Sequence, residues 1–212
     1  MREKYMKWDN IYLLSFTPNN GLLESYEDIV TITSDAMYIR YSIKPENCYS
    51  LNRVTGKQGV DILGKYSDIY KDCMKTEGKY TKLIVVGHYD TFSKFFIPYR
   101  FAELIKFCGA QSVTYISFKV CNIGKTNYLH NLRDYLPNIQ LFSGYKDTIA
   151  PNYSNKNEKI KYSIRLGDNA VENFLHKVYG GKLPDIFRRQ IVLGRAYNAD
   201  HFLGTKYYKK LE

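Results

Sequence analysis

The chain has few cysteines, four in 212 residues, and no two of them form a CxxC pair. That spacing excludes a zinc ribbon, and so small a number excludes a disulfide-stapled framework. A reducing compartment fits such usage better, and it leaves free thiols. No stretch approaches the roughly 18 uninterrupted apolar residues of a membrane span. The opening "MREKYMKWDNIYLLSFTPNN" is basic, but its apolar run is short and no small-residue cleavage pattern follows, so no secretory signal is expected. Long Pro/Gly/Ser linkers, internal repeats and low-complexity tracts are also missing, which leaves a single domain, residues 1–212, as the simplest organisation. His, Cys, Asp and Glu nowhere cluster at metal-ligand spacing. "GKQG" (56–59) lacks the Ser/Thr and the length of a phosphate-binding loop.

Acidic residues are scarce beside basic ones, 21 against 31, for a formal charge of +10. A cationic surface attracts nucleic acids, membrane surfaces and polyanionic small molecules alike. The abundance of Tyr, Lys, Ile and Asn is also what AT-rich coding produces, so the charge is no evidence for specific nucleic-acid binding.

The chain offers an ordinary globular composition, 44% hydrophobic and 25% charged. "NIYLLSF" and "AMYIRYSI" carry the aromatic and β-branched residues of strands. "VDILGKYSDIYKDCMK" places Ile62, Tyr66, Ile69, Tyr70 and Cys73 at helical spacing. From residue 82 the pattern becomes regular. "KLIVVGH" is a buried strand, and "IPYRFAELIKFCG" is a helix with Pro98 at its start and Gly109 as its C-terminal cap. "SVTYISFKVC", "TNYLHNLRDYLP" and "IQLFSGY" then give strand, helix and strand. Such alternation predicts an α/β fold with a mostly parallel sheet covered on both faces. A polar loop, "KDTIAPNYSNKNE", a strand, "KIKYSIRL", and two helical segments, "NAVENFLHKVYG" and "LPDIFRRQIVLGRAYNADHF", complete the chain.

His88 and Cys121 end successive parallel strands. A right-handed crossover brings those ends to one sheet edge, where open α/β folds place their ligands and catalytic groups. An imidazole there can deprotonate the thiol and later protonate an amine leaving group. Backbone N–H groups of Cys121 and of the Gly87–Tyr89 turn are candidate oxyanion donors, and Asp90 is a candidate to orient His88. A resting thiolate–imidazolium pair would lower the Cys121 pKa and raise that of His88. Each residue also has a plainer reading: a hydrogen-bonded strand-end histidine, a buried small hydrophobe, a turn-forming aspartate.

An apolar strand ending in Gly-His, a helix of the "FAELIKFCGAQSV" type and a strand ending in Cys-Asn-Ile-Gly together resemble the caspase-like (clan CD) cysteine peptidases. More narrowly, they are similar to the self-cleaving protease domain of repeats-in-toxin and large clostridial toxins. The likeness covers residues 80–166. Strands and a helix (1–79) precede that core, and a helical extension (167–212) follows it.

The resemblance implies a caspase-like sheet with a flap-like hairpin over 139–166, His88 as general base and Cys121 as nucleophile. It implies a protein substrate, either the chain's own polypeptide or a host protein, and a secreted toxin or effector working in host cytosol; cytoplasmic residence is the alternative. No cofactor is required, although inositol hexakisphosphate activates the toxin enzymes. Lys159, Lys161 and Arg165, at even spacing on one expected strand, are the candidates to bind it, against the plainer reading of a solvated charged face. Tyr89 and Val120 depart from the family, which keeps small residues at both positions. A degenerate binding module for a host protein or polyanion, and a Cys-His acyltransferase or deamidase, are therefore the competing functions.

Overall fold

The computed structural model describes residues 6–17, 24–52, 67–76, 80–156, 159–166 and 188–209. Among them, strands β1 (Asn10–Thr17), β2 (Cys48–Asn52), β3 (Ser67–Asp68), β4 (Thr81–Val86), β5 (Tyr115–Lys119), β6 (Leu141–Tyr145) and β9 (Arg189–Leu193) build one sheet in the order β3-β2-β1-β4-β5-β6-β9. The first six run parallel, and β9 pairs antiparallel with β6. A separate antiparallel hairpin joins β7 (Ile149–Lys156) to β8 (Lys159–Leu166). The fold is α/β, consistent with the caspase-like sheet expected; the hairpin expected over 139–166 is shorter, because Leu141–Tyr145 belongs to the main sheet and only β7 and β8 form the hairpin.

The continuous apolar runs become central strands because helices cover both faces. All six residues of β4 and all five of β5 are buried. On one face, Leu14, Leu83, Val85, Ile116 and Phe118 pack under helices α2 (Pro98–Phe107) and α3 (Tyr128–Tyr135), through Phe101, Ala102, Ile105, Leu129 and Leu132. On the other, Leu13, Ile84 and Val86 meet Val30, Ala36 and Met37 of helix α1 (Glu24–Tyr41). Further along that second face, Tyr115 and Leu141 are capped by Tyr197, Phe202 and Tyr207. Pro98 opens α2, and Gly109 (φ +77°) follows its end, both as the sequence predicts.

Four other local expectations are corrected. "AMYIRYSI" is mostly helix rather than strand: Ala36–Tyr41 end α1, and Ser42 and Ile43 follow it. Val30, Ser34 and Met37 repeat at spacings of four and three, and that buried stripe outweighs the β propensity of its aromatic and branched residues. The helix expected over "VDILGKYSDIYKDCMK" is absent from its described part. Ser67–Asp68 is a short strand on β2 and residues 69–76 are irregular; Tyr70, assigned to the apolar stripe, is 58% exposed. Ile62 and Tyr66 lie outside the described residues. The loop "KDTIAPNYSNKNE" is mostly β7, whose Pro151 is tolerated because a two-stranded hairpin is all edge.

The C-terminal helical extension also fails in its described part. "RQIVL" is β9, because the branched Ile191 and Val192 complete the sheet beyond β6, and only a short 3₁₀ turn, Ala199–Phe202, follows. "NAVENFLHKVYG" lies outside the described residues.

Candidate functional site

The register of β4 on β5 pairs Val86 with Lys119. Two residues further on, the chain reaches His88 on one side and Cys121 on the other. They therefore occupy equivalent positions at the carboxyl ends of adjacent parallel strands, whose backbones are spaced about 4.8 Å apart. Both side chains are half-buried.

Phenylalanine packing fixes the histidine turn. Phe92, fully buried, meets Phe16, Phe101, Phe118 and Tyr128 with ring centroids 5.0–6.0 Å apart and edges turned to faces. Gly87 lies directly beneath that ring: a Cβ there would come 2.9 Å from Phe92 Cε2. The glycine is thus a packing requirement that lets the chain turn at the strand end. The His88 carbonyl accepts the Thr91 N–H (3.1 Å), starting the π-helical turn Thr91–Phe95. Tyr89 leans against the aromatic core. Asp90 is exposed, and Lys94 Nζ lies 2.8 Å from its Oδ2.

The cysteine turn is set by two glycines and an asparagine. Asn122 is left-handed (φ 56°), a conformation asparagine tolerates better than most residues. Gly124 packs on Gly144 of β6 so closely that a Cβ on Gly124 would lie 2.4 Å from the Gly144 carbonyl oxygen. Val120 is fully buried in the α2/α3 core, so its bulk points away from the strand-end edge.

The Cys121 thiol is occupied. Its Sγ accepts the Ile149 N–H (3.3 Å) and donates to the Ile149 carbonyl (3.6 Å). Residues 147–149 are fastened beside it: Asn122 N–H donates to the Asp147 carbonyl (3.2 Å), and Lys125 Nζ lies 3.5 Å from Asp147 Oδ1. Burial pushes the Cys121 thiol pKa up and the Asp147 charge adds to that, while hydrogen bonds from the Ile149 and Cys121 backbones pull it down. The net direction is upward, opposite to the fall that a resting thiolate–imidazolium pair would produce.

The other cysteines, Cys48, Cys73 and Cys108, are buried away from this edge. His130 and His201 contact Gln190 and Gln140 and are structural; His176 lies outside the described residues. Lys159, Lys161 and Arg165 fall on β8 of the hairpin at even spacing, as expected. No group of three or more metal-ligating side chains occurs among the described residues. No described helix is long and apolar enough to cross a membrane.

Sequence reasoning missed Asn122, Gly144, Asp147 and Ile149. Asn-Ile-Gly after the cysteine carried a signal for the left-handed turn, but nothing in "KDTI" announced that its backbone would meet the thiol. No family model, curated protein or solved structure matches this chain.

Proposed function

We propose that this protein is a cysteine peptidase of the caspase-like type, with His88 as general base and Cys121 as nucleophile. The observation that carries the reading is the β4–β5 register, in which a histidine and a cysteine stand at matched positions on neighbouring strand ends. Because burial pushes the thiol pKa up, the dyad works by proton transfer during attack. Sγ adds to the peptide carbonyl as its proton passes to the imidazole, which then protonates the departing amine; water hydrolyses the acyl-enzyme. The Ile149 backbone has to leave Sγ first, which frees its N–H to bind substrate or the developing oxyanion.

The substrate is a protein, either the chain itself or a host protein met by a secreted bacterial toxin or effector in host cytosol. Inositol hexakisphosphate on Lys159, Lys161 and Arg165 is the proposed activator, acting on the hairpin that begins at Ile149.

The test compares new protein N-termini in host lysate after treatment with wild type, Cys121→Ala or His88→Ala, with and without inositol hexakisphosphate. New N-termini from wild type that both variants abolish are expected. Equal patterns in all three would overturn the peptidase. Modified side chains without new termini would point to acyl transfer or deamidation by the same dyad.

One observation favours a second reading, a binding module. The Ile149 backbone already satisfies the thiol in both directions, as it would in a site that never opens. A module predicts that Cys121 resists alkylation by iodoacetamide with or without the polyanion.

A further inference from the structure

On leaving β3, the chain runs alongside the end of α2. Asp72 N–H donates to the Phe107 carbonyl (2.9 Å) and Met74 N–H to the Cys108 carbonyl (2.8 Å), so backbone hydrogen bonds bracket Cys73. Two backbone hydrogen bonds on either side of Cys73, one of them to the carbonyl of Cys108 itself, hold the two residues as near neighbours, as a disulfide between them requires. Both side chains lie in the same buried cluster, and each thiol perturbs the other, with Cys108 pushed up and Cys73 held down. Gly109 permits the approach, because at φ +77° its Cβ would come 2.9 Å from the Met74 carbonyl oxygen. Tyr49 Oη donates to the Cys73 carbonyl (2.8 Å) and Tyr12 Oη to the Lys75 carbonyl (3.0 Å), fixing the segment against the sheet.

We propose that Cys73 and Cys108 form a dithiol modification site, which a peroxide-class oxidant converts into an intramolecular disulfide fastening the β3–β4 connection to the end of α2. Cys73 is the attacking sulfur. It keeps 8% exposure while Cys108 has none, and the neighbouring Cys108 thiol holds that of Cys73 down while being itself pushed up.

The Cys73 thiolate attacks one peroxide oxygen, the O–O bond breaks, and hydroxide leaves, taking up the thiol's proton as water. The resulting Cys73 sulfenic acid is then displaced by Cys108 sulfur; the S–S bond forms, and the sulfenic oxygen departs as a second water with the Cys108 proton. Two thiols are oxidised and one peroxide is reduced. Because α2 crosses from the end of β4 to the start of β5, its last turn lies at the sheet edge opposite Cys121. The bond therefore forms independently of the peptidase dyad.

The full chain is treated with hydrogen peroxide, its remaining thiols are blocked with N-ethylmaleimide, and unreduced peptides are mapped by mass spectrometry. The expected product is a Cys73–Cys108 linked peptide, with Cys48 outside the bond, lost on treatment with dithiothreitol and formed equally in Cys121→Ala. Its formation should raise the Tm by several degrees, since it closes a loop across two packed segments. In Cys108→Ser, dimedone should trap a sulfenic acid at Cys73. A bond using Cys48 or Cys121 instead, or Cys73 and Cys108 both found as maleimide adducts at peroxide levels that oxidise methionine, would overturn the proposal. The wild-type map decides it even if Cys108→Ser fails to fold.

Discussion

The two faces of the central sheet are equally buried, but they are held together differently. Under α2 and α3 the layer is apolar and aromatic: Phe16, Phe92, Phe101, Phe118 and Tyr128 pack edge to face, with the Phe101–Phe118 pair tilted. The opposite face carries, between its apolar clusters, a band of buried polar and cationic groups. Arg189 donates to the hydroxyls of Tyr115, Ser117 and Ser143; Lys119 donates to Tyr145 Oη; and the Lys82 ammonium lies 4.0 Å from the Tyr41 ring centroid. Lys82, Lys119 and Arg189 are each less than 9% exposed.

The aromatic face tolerates no change of shape and so can fix the His88 turn. The polar band depends on complete pairing, because a buried polar group costs free energy unless it is hydrogen-bonded. His88 and Cys121 emerge where these layers meet, with Phe118 and Val120 directed to the aromatic side and Lys119 to the opposite one.

The largest effect expected from this comparison is on the aromatic face. Phe118→Ala should remove about 3–5 kcal/mol of stability, read by urea denaturation, since it opens a cavity among the rings of Phe92, Phe101 and Tyr128. A loss below about 1 kcal/mol would mean the layer is not close-packed.

Arg189→Leu should cost about 2–3 kcal/mol by removing the donor shared by three buried hydroxyls, of which Tyr115 and Ser143 still bond to each other and Ser117 loses its Arg189 partner. Adding Tyr115→Phe, Ser117→Ala and Ser143→Ala should regain most of that, because removing both partners is nearly neutral. The aromatic face offers no equivalent rescue.

Lys82 gives a smaller, pH-dependent effect. Burial holds its ammonium down at about 8 in the folded chain, against the ordinary 10.5. Below pH 8 it is charged in both states, and the burial penalty is at full strength. Between about 8 and 10.5 the unfolded chain binds the proton and the folded chain does not, so stability rises with pH. Lys82→Met should remove that rise, and the difference between wild-type and variant urea midpoints across the window measures it.

The smallest effect concerns the seam. Asp147→Asn removes a charge that helps raise the Cys121 pKa, so the pH profile of Cys121 alkylation should move towards lower pH. An unmoved profile would mean that burial, rather than the Asp147 charge, governs the thiol.

The sequence by itself determined the central architecture. Continuous apolar runs at β4, β5 and β6 can be satisfied only by a parallel sheet covered on both faces, and Pro98 and Gly109 bound the intervening helix by their own φ preferences. Position within that pattern was enough to put His88 and Cys121 on one edge.

Only the tertiary structure decided what local pattern leaves ambiguous. Whether "AMYIRYSI" coils and "RQIVL" extends depends on the surface each one covers, because branched and aromatic residues pack well in either state. The clasp on Cys121 was equally illegible. It is made by the backbone of Ile149, 28 residues away along the chain, and a backbone N–H or carbonyl carries no sequence signature. The same holds for Cys73 and Cys108, brought together by paired backbones and a glycine with no Cβ to keep them apart. Periodicity fixes which residues are buried, whereas the contact between particular groups depends on how distant segments close over one another.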